Sequence, residues 1–158
     1  MDSKGAKQDA PEEGKNGSEE TVREITRDEQ NATECLCSIL HYLGPSSADK
    51  DRSLSWKADV EFMSQCRQLA CFHSELLAPL LPAVLRKICD LCKSLRSIVA
   101  RSAIKATEDI LKFSPSFPEE EKEVIRVVAQ KTGSEKQFVR DESFQCLETV
   151  LHELAIHM

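Results

Sequence analysis

Cys89 and Cys92 form a C-x-x-C, and Cys66, Cys71 and His73 lie a short way upstream. These are the residue types from which a zinc site is assembled, but zinc needs four ligands converging tetrahedrally. Both cysteine pairs fall inside helical apolar patterns with no turn between their members, unlike a zinc knuckle. They read as reduced, small core residues, and Cys35-x-Cys37 reads the same way. Seven cysteines are an odd number, and no export signal precedes them, which argues against a disulfide framework. His41, His73, His152 and His157 have no Cys or carboxylate at ligand spacing, and the last two stand five apart rather than four. No Ser, Cys or Lys has the context of a nucleophile. Glu119 to Glu123 reads as a solvated helix start rather than an acid–base pair. Asn31-Ala32-Thr33 fits a glycosylation sequon, which has no meaning without secretion. The expectation is a protein without catalysis, metal or cofactor.

What remains is recognition chemistry: one tryptophan, Trp56, and cations spaced along the chain. Of 158 residues only five are glycine, and three of those (Gly5, Gly14 and Gly17) lie in the polar N-terminus. Gly44 and Gly133 alone serve everything after residue 20, too few for hairpin-rich β folds or phosphate loops. No apolar run approaches a membrane span, and the polar start is not a signal peptide. A soluble, intracellular α protein is expected. Residues 1–53 carry 12 acids against 7 bases, whereas residues 54–158 carry 15 against 14. A nearly neutral folded part excludes a nucleic-acid binder with a broad basic face. Within it, Arg86, Lys87, Lys93, Arg96, Arg101, Lys105 and Lys112 outnumber Asp90, Glu108 and Asp109, a local excess that suits an acidic protein partner.

Residues 1–30 have almost no apolar anchor and cannot offset their ordering entropy, so they read as a disordered tail; residues 31–158 read as one folded domain. Leu36, Ile39, Leu40 and Leu43 form a short helical stripe closed by Gly44-Pro45. After a polar loop, Pro45 to Leu54, Ser55 caps a helix from Trp56. Its two adjacent stripes (Val60, Met63, Arg67, Ala70 and Phe62, Cys66, Leu69) predict burial over a wide face. Ser74 opens an amphipathic stretch through Leu91, with Pro79 in its first turn and Pro82 marking a later start or a bend. Beyond Lys93-Ser94, a stripe runs from Leu95 through Ile98, Val99, Ala103, Ala106 and Ile110 to Phe113. Ser114 to Pro118 is a loop, and Pro118 with the following glutamates starts a helix carrying Val124, Val127 and Val128 to Gly133. The last helix carries Val139, Cys146, Leu147, Val150, Leu151 and Leu154.

Trp56, Arg96 and Lys136 are spaced by 40 residues each. Around that register Ser94-Leu95-Arg96-Ser97-Ile98-Val99 matches Ser134-Glu135-Lys136-Gln137-Phe138-Val139. Each is a polar turn and a valine, with a small residue (Ala103, Ser143) four further on to admit a close neighbour. A 40-residue period of helix pairs is the mark of a HEAT or armadillo array. The fold expected is an all-α solenoid of about three HEAT-like hairpins, at 34–70, 75–113 and 119–155. Constant period puts the helix-opening loops in one row, and an aromatic with a cationic surround has the anatomy of an interface.

Ser55-Trp56-Lys57-Ala58 resembles the first intra-repeat loop of the tubulin-binding TOG domain, especially its CLASP-like branch. Cys71-Phe72-His73, Leu76-Leu77, Leu95 to Ala103, and Lys136-Gln137-Phe138-Val139-Arg140 are similar to that branch too. The likeness covers roughly residues 34–157. It implies a microtubule-associated, cytoplasmic module that grips tubulin along one narrow edge. Trp56, Lys93, Arg96, Lys136 and Gln137 would lie on that edge, with Arg101 and Arg140 just behind. The residues themselves allow Trp56 to cover the core, and Lys93, Arg96 and Lys136 to be ordinary solvated positions. Arg101 and Arg140 are expected to pair with acids of an adjacent repeat. Two departures from the family stand out. Asp59 occupies a place three after the tryptophan where a cation is common. The chain also stops after three of about six repeats, from which an uncapped last face and self-association follow. A general HEAT scaffold that has lost the tubulin edge is the alternative.

Overall fold

The computed structural model describes residues 32–44, 55–113 and 119–157. The expected tail, the loop Pro45 to Leu54 and the loop Ser114 to Pro118 lie outside these residues. Among the described residues the regular structure is helical throughout: α1 (Ala32–Leu43), α2 (Ser55–Phe72), α3 (Ser74–Leu77), a single 3₁₀ turn (Ala78–Leu80), α4 (Leu81–Cys92), α5 (Ser97–Phe113), α6 (Glu119–Lys131) and α7 (Gln137–His157).

The helices pair as α1 with α2, α4 with α5, and α6 with α7. The second members also pack side by side, α2 on α5 and α5 on α7, while α4 packs on α6. The result is the expected two-layer, solenoid-like stack of three hairpins. Ion pairs and hydrogen bonds give the direction of stacking. Arg67 of α2 meets Asp109 of α5 at 2.6 Å, Arg101 of α5 meets Glu142 of α7 at 3.7 Å, and the Thr149 hydroxyl of α7 donates to Glu108 at 3.0 Å. Partners 41 residues apart at Arg101 and again at Glu108 mean that α5 and α7 run parallel and in register. For α2 and α5 the same follows from Arg67 with Asp109 toward their ends and from the Arg96 guanidinium over the Trp56 ring at their starts.

The wide buried face foreseen for α2 is present: Phe62, Met63, Cys66, Arg67, Leu69 and Ala70 are all buried, because α1 covers one side and α5 the other. The small residues do what close packing requires. Ala103 and Ser143 are fully buried, and the Ser143 hydroxyl donates to the Val139 carbonyl four residues back, so its burial leaves no unpaired donor. Cys66, Cys89, Cys92 and Cys146 are buried, and burial pushes the Cys92 thiol up to about 12. Reactive cysteines have low pKa, so these are packing groups.

Several details differ from the sequence reading. Cys37 is exposed and Cys35 only half-buried, since two residues at i and i+2 of a helix point to different sides. The stretch from Ser74 is not one helix. Pro79 sits in the 3₁₀ turn and Pro82 in the first turn of α4, so each proline occupies a place where its missing N–H costs little. Leu95 lies before α5, outside its stripe. Leu40 sits at the edge of the α1 stripe, on the end helix of the stack, and is exposed. Glu121 is buried rather than solvated: three residues before Val124, it shares the apolar side of α6.

Candidate protein-binding edge

The loop between α4 and α5 and the loop between α6 and α7 are built alike, bond for bond. Ser94 N–H donates to the Leu91 carbonyl, and Ser134 N–H to that of Lys131, each at 3.1 Å. The Ser94 hydroxyl oxygen accepts from Arg96 N–H at 3.2 Å, and that of Ser134 from Lys136 N–H at 3.3 Å. The Arg96 carbonyl then receives Ala100 N–H at 3.0 Å, and the Lys136 carbonyl receives Arg140 N–H at 3.1 Å. Arg96 and Lys136 are therefore the last residues before α5 and α7, presented identically 40 residues apart. Each serine folds its own turn, a side-chain-to-backbone motif that competes with helix and so stops one helix while starting the next.

Trp56 stands in the first turn of α2, half-buried against the core. The Arg96 guanidinium lies over its ring at 5.9 Å from the centroid, and Lys57 Nζ at 5.7 Å. Both distances are within reach of a cation–π attraction, about 0.5–1 kcal/mol at an exposed site. The indole is thus neither sealed in the core nor free: it is half-buried against the core and has two cations near its ring. Because α2, α5 and α7 run parallel and in register, their starts share one edge. That edge brings together Trp56 and Arg96, and it carries Lys93, Lys136 and Gln137, all three exposed.

Arg101 and Arg140 take different roles. Arg101 sits behind the edge, with its guanidinium 5.6 Å from the centroid of Phe138 and its Nε 3.7 Å from Glu142 of the adjacent repeat. Among the described residues Arg140 meets no acid of a neighbouring repeat. It donates instead to the Ser134 and Glu135 carbonyls at 2.7 and 3.1 Å and ties down its own loop. Asp59, which sequence comparison set against an acidic partner, receives the Tyr42 hydroxyl from α1. Burial and this bond to a carboxylate push the tyrosine's pKa well above its usual range. Tyr42 also stacks on Phe62, ring centroids 4.1 Å apart. The acid is therefore engaged with the hairpin's own first helix.

Two edge residues escaped the sequence reading. Leu95 is fully exposed at the tip of the second loop, where the third loop has Glu135. Its apolar character suggested a helical stripe; the signal against that was the Ser94 turn on one side and helix start on the other. Lys57 was read only as part of a motif, although its charge shares the indole. Among the described residues no group of three His, Cys, Asp or Glu side chains could hold a metal ion, and no helix is long and apolar enough to cross a membrane.

No protein-family model matches this chain, and no solved structure matches it. Two curated relatives do. The sequence is 28% identical over 108 residues to the TOG array regulator of axonemal microtubules protein 1 of Homo sapiens, and 28% identical over 108 residues to that of Mus musculus. The match covers 68% of this chain but 6% of each relative. At that identity the likeness points to a TOG-related domain, and the chain is similar to a small part of a much longer protein.

Proposed function

We propose that the chain is a non-catalytic binding module that docks tubulin or microtubules along its loop edge, in the manner of a TOG domain of the CLASP-like branch. One observation carries this reading: two loops of identical construction, 40 residues apart, present Arg96 and Lys136 in line with an indole that Arg96 itself overlies. A half-buried aromatic ringed by cations suits a partner with an acidic surface, the indole providing the anchor and the cations speeding encounter. The engagement of Asp59 by Tyr42 supports the tubulin reading over a scaffold that has lost this edge, because the acid has a partner within its own hairpin. The name of the relatives, a regulator of axonemal microtubules, agrees with a cytoplasmic, cytoskeleton-associated role.

The test is co-pelleting with microtubules at low salt. Wild type should pellet, and the pair Trp56→Glu with Lys136→Ala should bind on the order of 30-fold more weakly, as losing an aromatic anchor worth about 2 kcal/mol requires. Arg96→Glu, at an exposed position that leaves the core untouched, should weaken binding in the same direction. Equal pelleting of wild type and variants, or of none of them, removes the proposal.

A further inference from the structure

The second and third loops each close on their own serine, but a loop's internal bonds do not set its distance from the next loop. That distance belongs to the junction of α5 with α7. At the edge end of this junction the buried residues are small: Val99 and Ala103 on α5, Val139 and Ser143 on α7. Such residues admit close approach but give few deep ridges to fix how one helix lies along the other. A polar contact supplies the constraint. From the second turn of α5, Arg101 places its guanidinium 5.6 Å from the centroid of the Phe138 ring and its Nε 3.7 Å from Glu142. Phe138 and Glu142 are four residues apart, neighbours on one side of α7. One planar cation thus spans two successive turns of the adjacent helix, and the side chains of its ion pair are only 22% and 11% exposed.

The serine turn recurs in both loops, but this contact is not a property of the repeat. The 40-residue register puts Glu61, Ile98 and Ser102 of the first junction in the places of Arg101, Phe138 and Glu142. The edge is joined there by a different guanidinium, that of Arg96 over Trp56. Stacking two hairpins therefore does not in itself call for an arginine at this place. Farther from the edge, the Thr149 hydroxyl donates to Glu108 at 3.0 Å and fastens the same two helices a second time. Of the two fastenings, the one at Arg101 lies beside Lys136 and Gln137, which immediately precede Phe138.

We infer that Arg101 is the positioning residue of the binding edge: through Phe138 and Glu142 it sets where Lys136 and Gln137 stand relative to Arg96 and Trp56, without itself meeting the partner. This role rests on the proposed docking of tubulin or microtubules along several loops at once.

The test measures the gap between the two loop tips in the full chain. Spin labels carried on non-natural amino acids at the positions of Leu95 and Glu135, both exposed, spare the native cysteines. Pulsed electron paramagnetic resonance then reads their separation. Arg101→Met with Glu142→Gln removes the contact without stranding a carboxylate, and its distance distribution should shift or broaden by about 2 Å or more. Urea unfolding should stay cooperative, because Thr149 still holds Glu108. Phe138→Leu, a milder change that keeps the ion pair, should disturb the distance in the same way. In microtubule pelleting, Lys136→Ala should weaken the otherwise wild-type protein about threefold, the effect of one exposed charge contact. In the Arg101→Met, Glu142→Gln background it should have no effect, because the third loop no longer meets the partner in step. An unchanged distance in either variant that unfolds cooperatively, or an equal loss from Lys136→Ala in both backgrounds, would overturn the inference. A wild type that does not pellet removes the docking edge itself. The distance measurement, made without microtubules, distinguishes that failure from a failure of Arg101 to position the loop.

Discussion

Arg67 and Asp109 join the first repeat to the second through a contact of 2.6 Å, with side chains only 9% and 13% exposed. Removing one member of such a pair leaves a charge with little water to solvate it, at a cost of about 3–5 kcal/mol. Arg67→Met keeps most of the aliphatic stem and removes the guanidinium. Asp109 then retains Lys105 at 4.0 Å, so the loss should fall near the lower end, about 3 kcal/mol. For a domain of this size that corresponds to a fall in Tm on the order of 10 °C. Arg67→Met combined with Asp109→Leu should recover to within about 1 kcal/mol of wild type, because a well-packed apolar pair replaces a buried ion pair at little net cost. Lys105 keeps Glu108 at 3.0 Å in that variant, so no new stranded charge arises. Urea unfolding followed by circular dichroism gives all three stabilities on one scale. A single variant that loses less than about 1 kcal/mol, or a double variant no better than the single, would refute the claim that this pair is a desolvated link between repeats.

Two further perturbations examine the same interfaces. Ala103→Leu inserts three carbons where α5 is fully buried and should cost about 1–3 kcal/mol by overpacking, measured in the same urea series, whereas Leu95→Ala at the exposed loop tip should change stability by less than about 0.5 kcal/mol. Glu142 supplies a pH dependence: burial raises its carboxyl above the ordinary range, with Glu108 adding to the shift while Lys105 and Arg101 oppose it. The fold then holds the Glu142 proton more tightly than the unfolded chain does. That contribution to stability is complete below the ordinary carboxylate pKa and is lost as pH rises through the raised one. Glu142→Gln does not titrate, so its stability relative to wild type should increase between about pH 4 and about pH 7; a constant difference across that range would contradict the assignment.

Much of the molecule was legible from residue order, and much was not, for a common reason. Helix period, stop signals and the 40-residue spacing are local properties, written in the alternation of apolar and polar residues and in Ser94 and Ser134, which fold their turns with their own hydroxyls. Those features specified an all-helical stack of hairpins and placed Arg96 and Lys136 at equivalent helix starts. Whether an apolar residue on a stripe is covered depends on how many neighbours its helix has, which no local pattern contains. Ile104 and Phe144 occupy the same place in the repeat, and only the presence of α7 beside one of them makes the first a core residue and leaves the second in water. Glu121, equally, is drawn inside with α6, and Asp59 is taken by a tyrosine 17 residues away. The sharing of Trp56 between core and cations likewise arose from stacking, since Arg96 reaches the indole only because α5 lies parallel to α2. Periodicity determined what each helix is; the contacts between helices decided which of its side chains remain available to a partner.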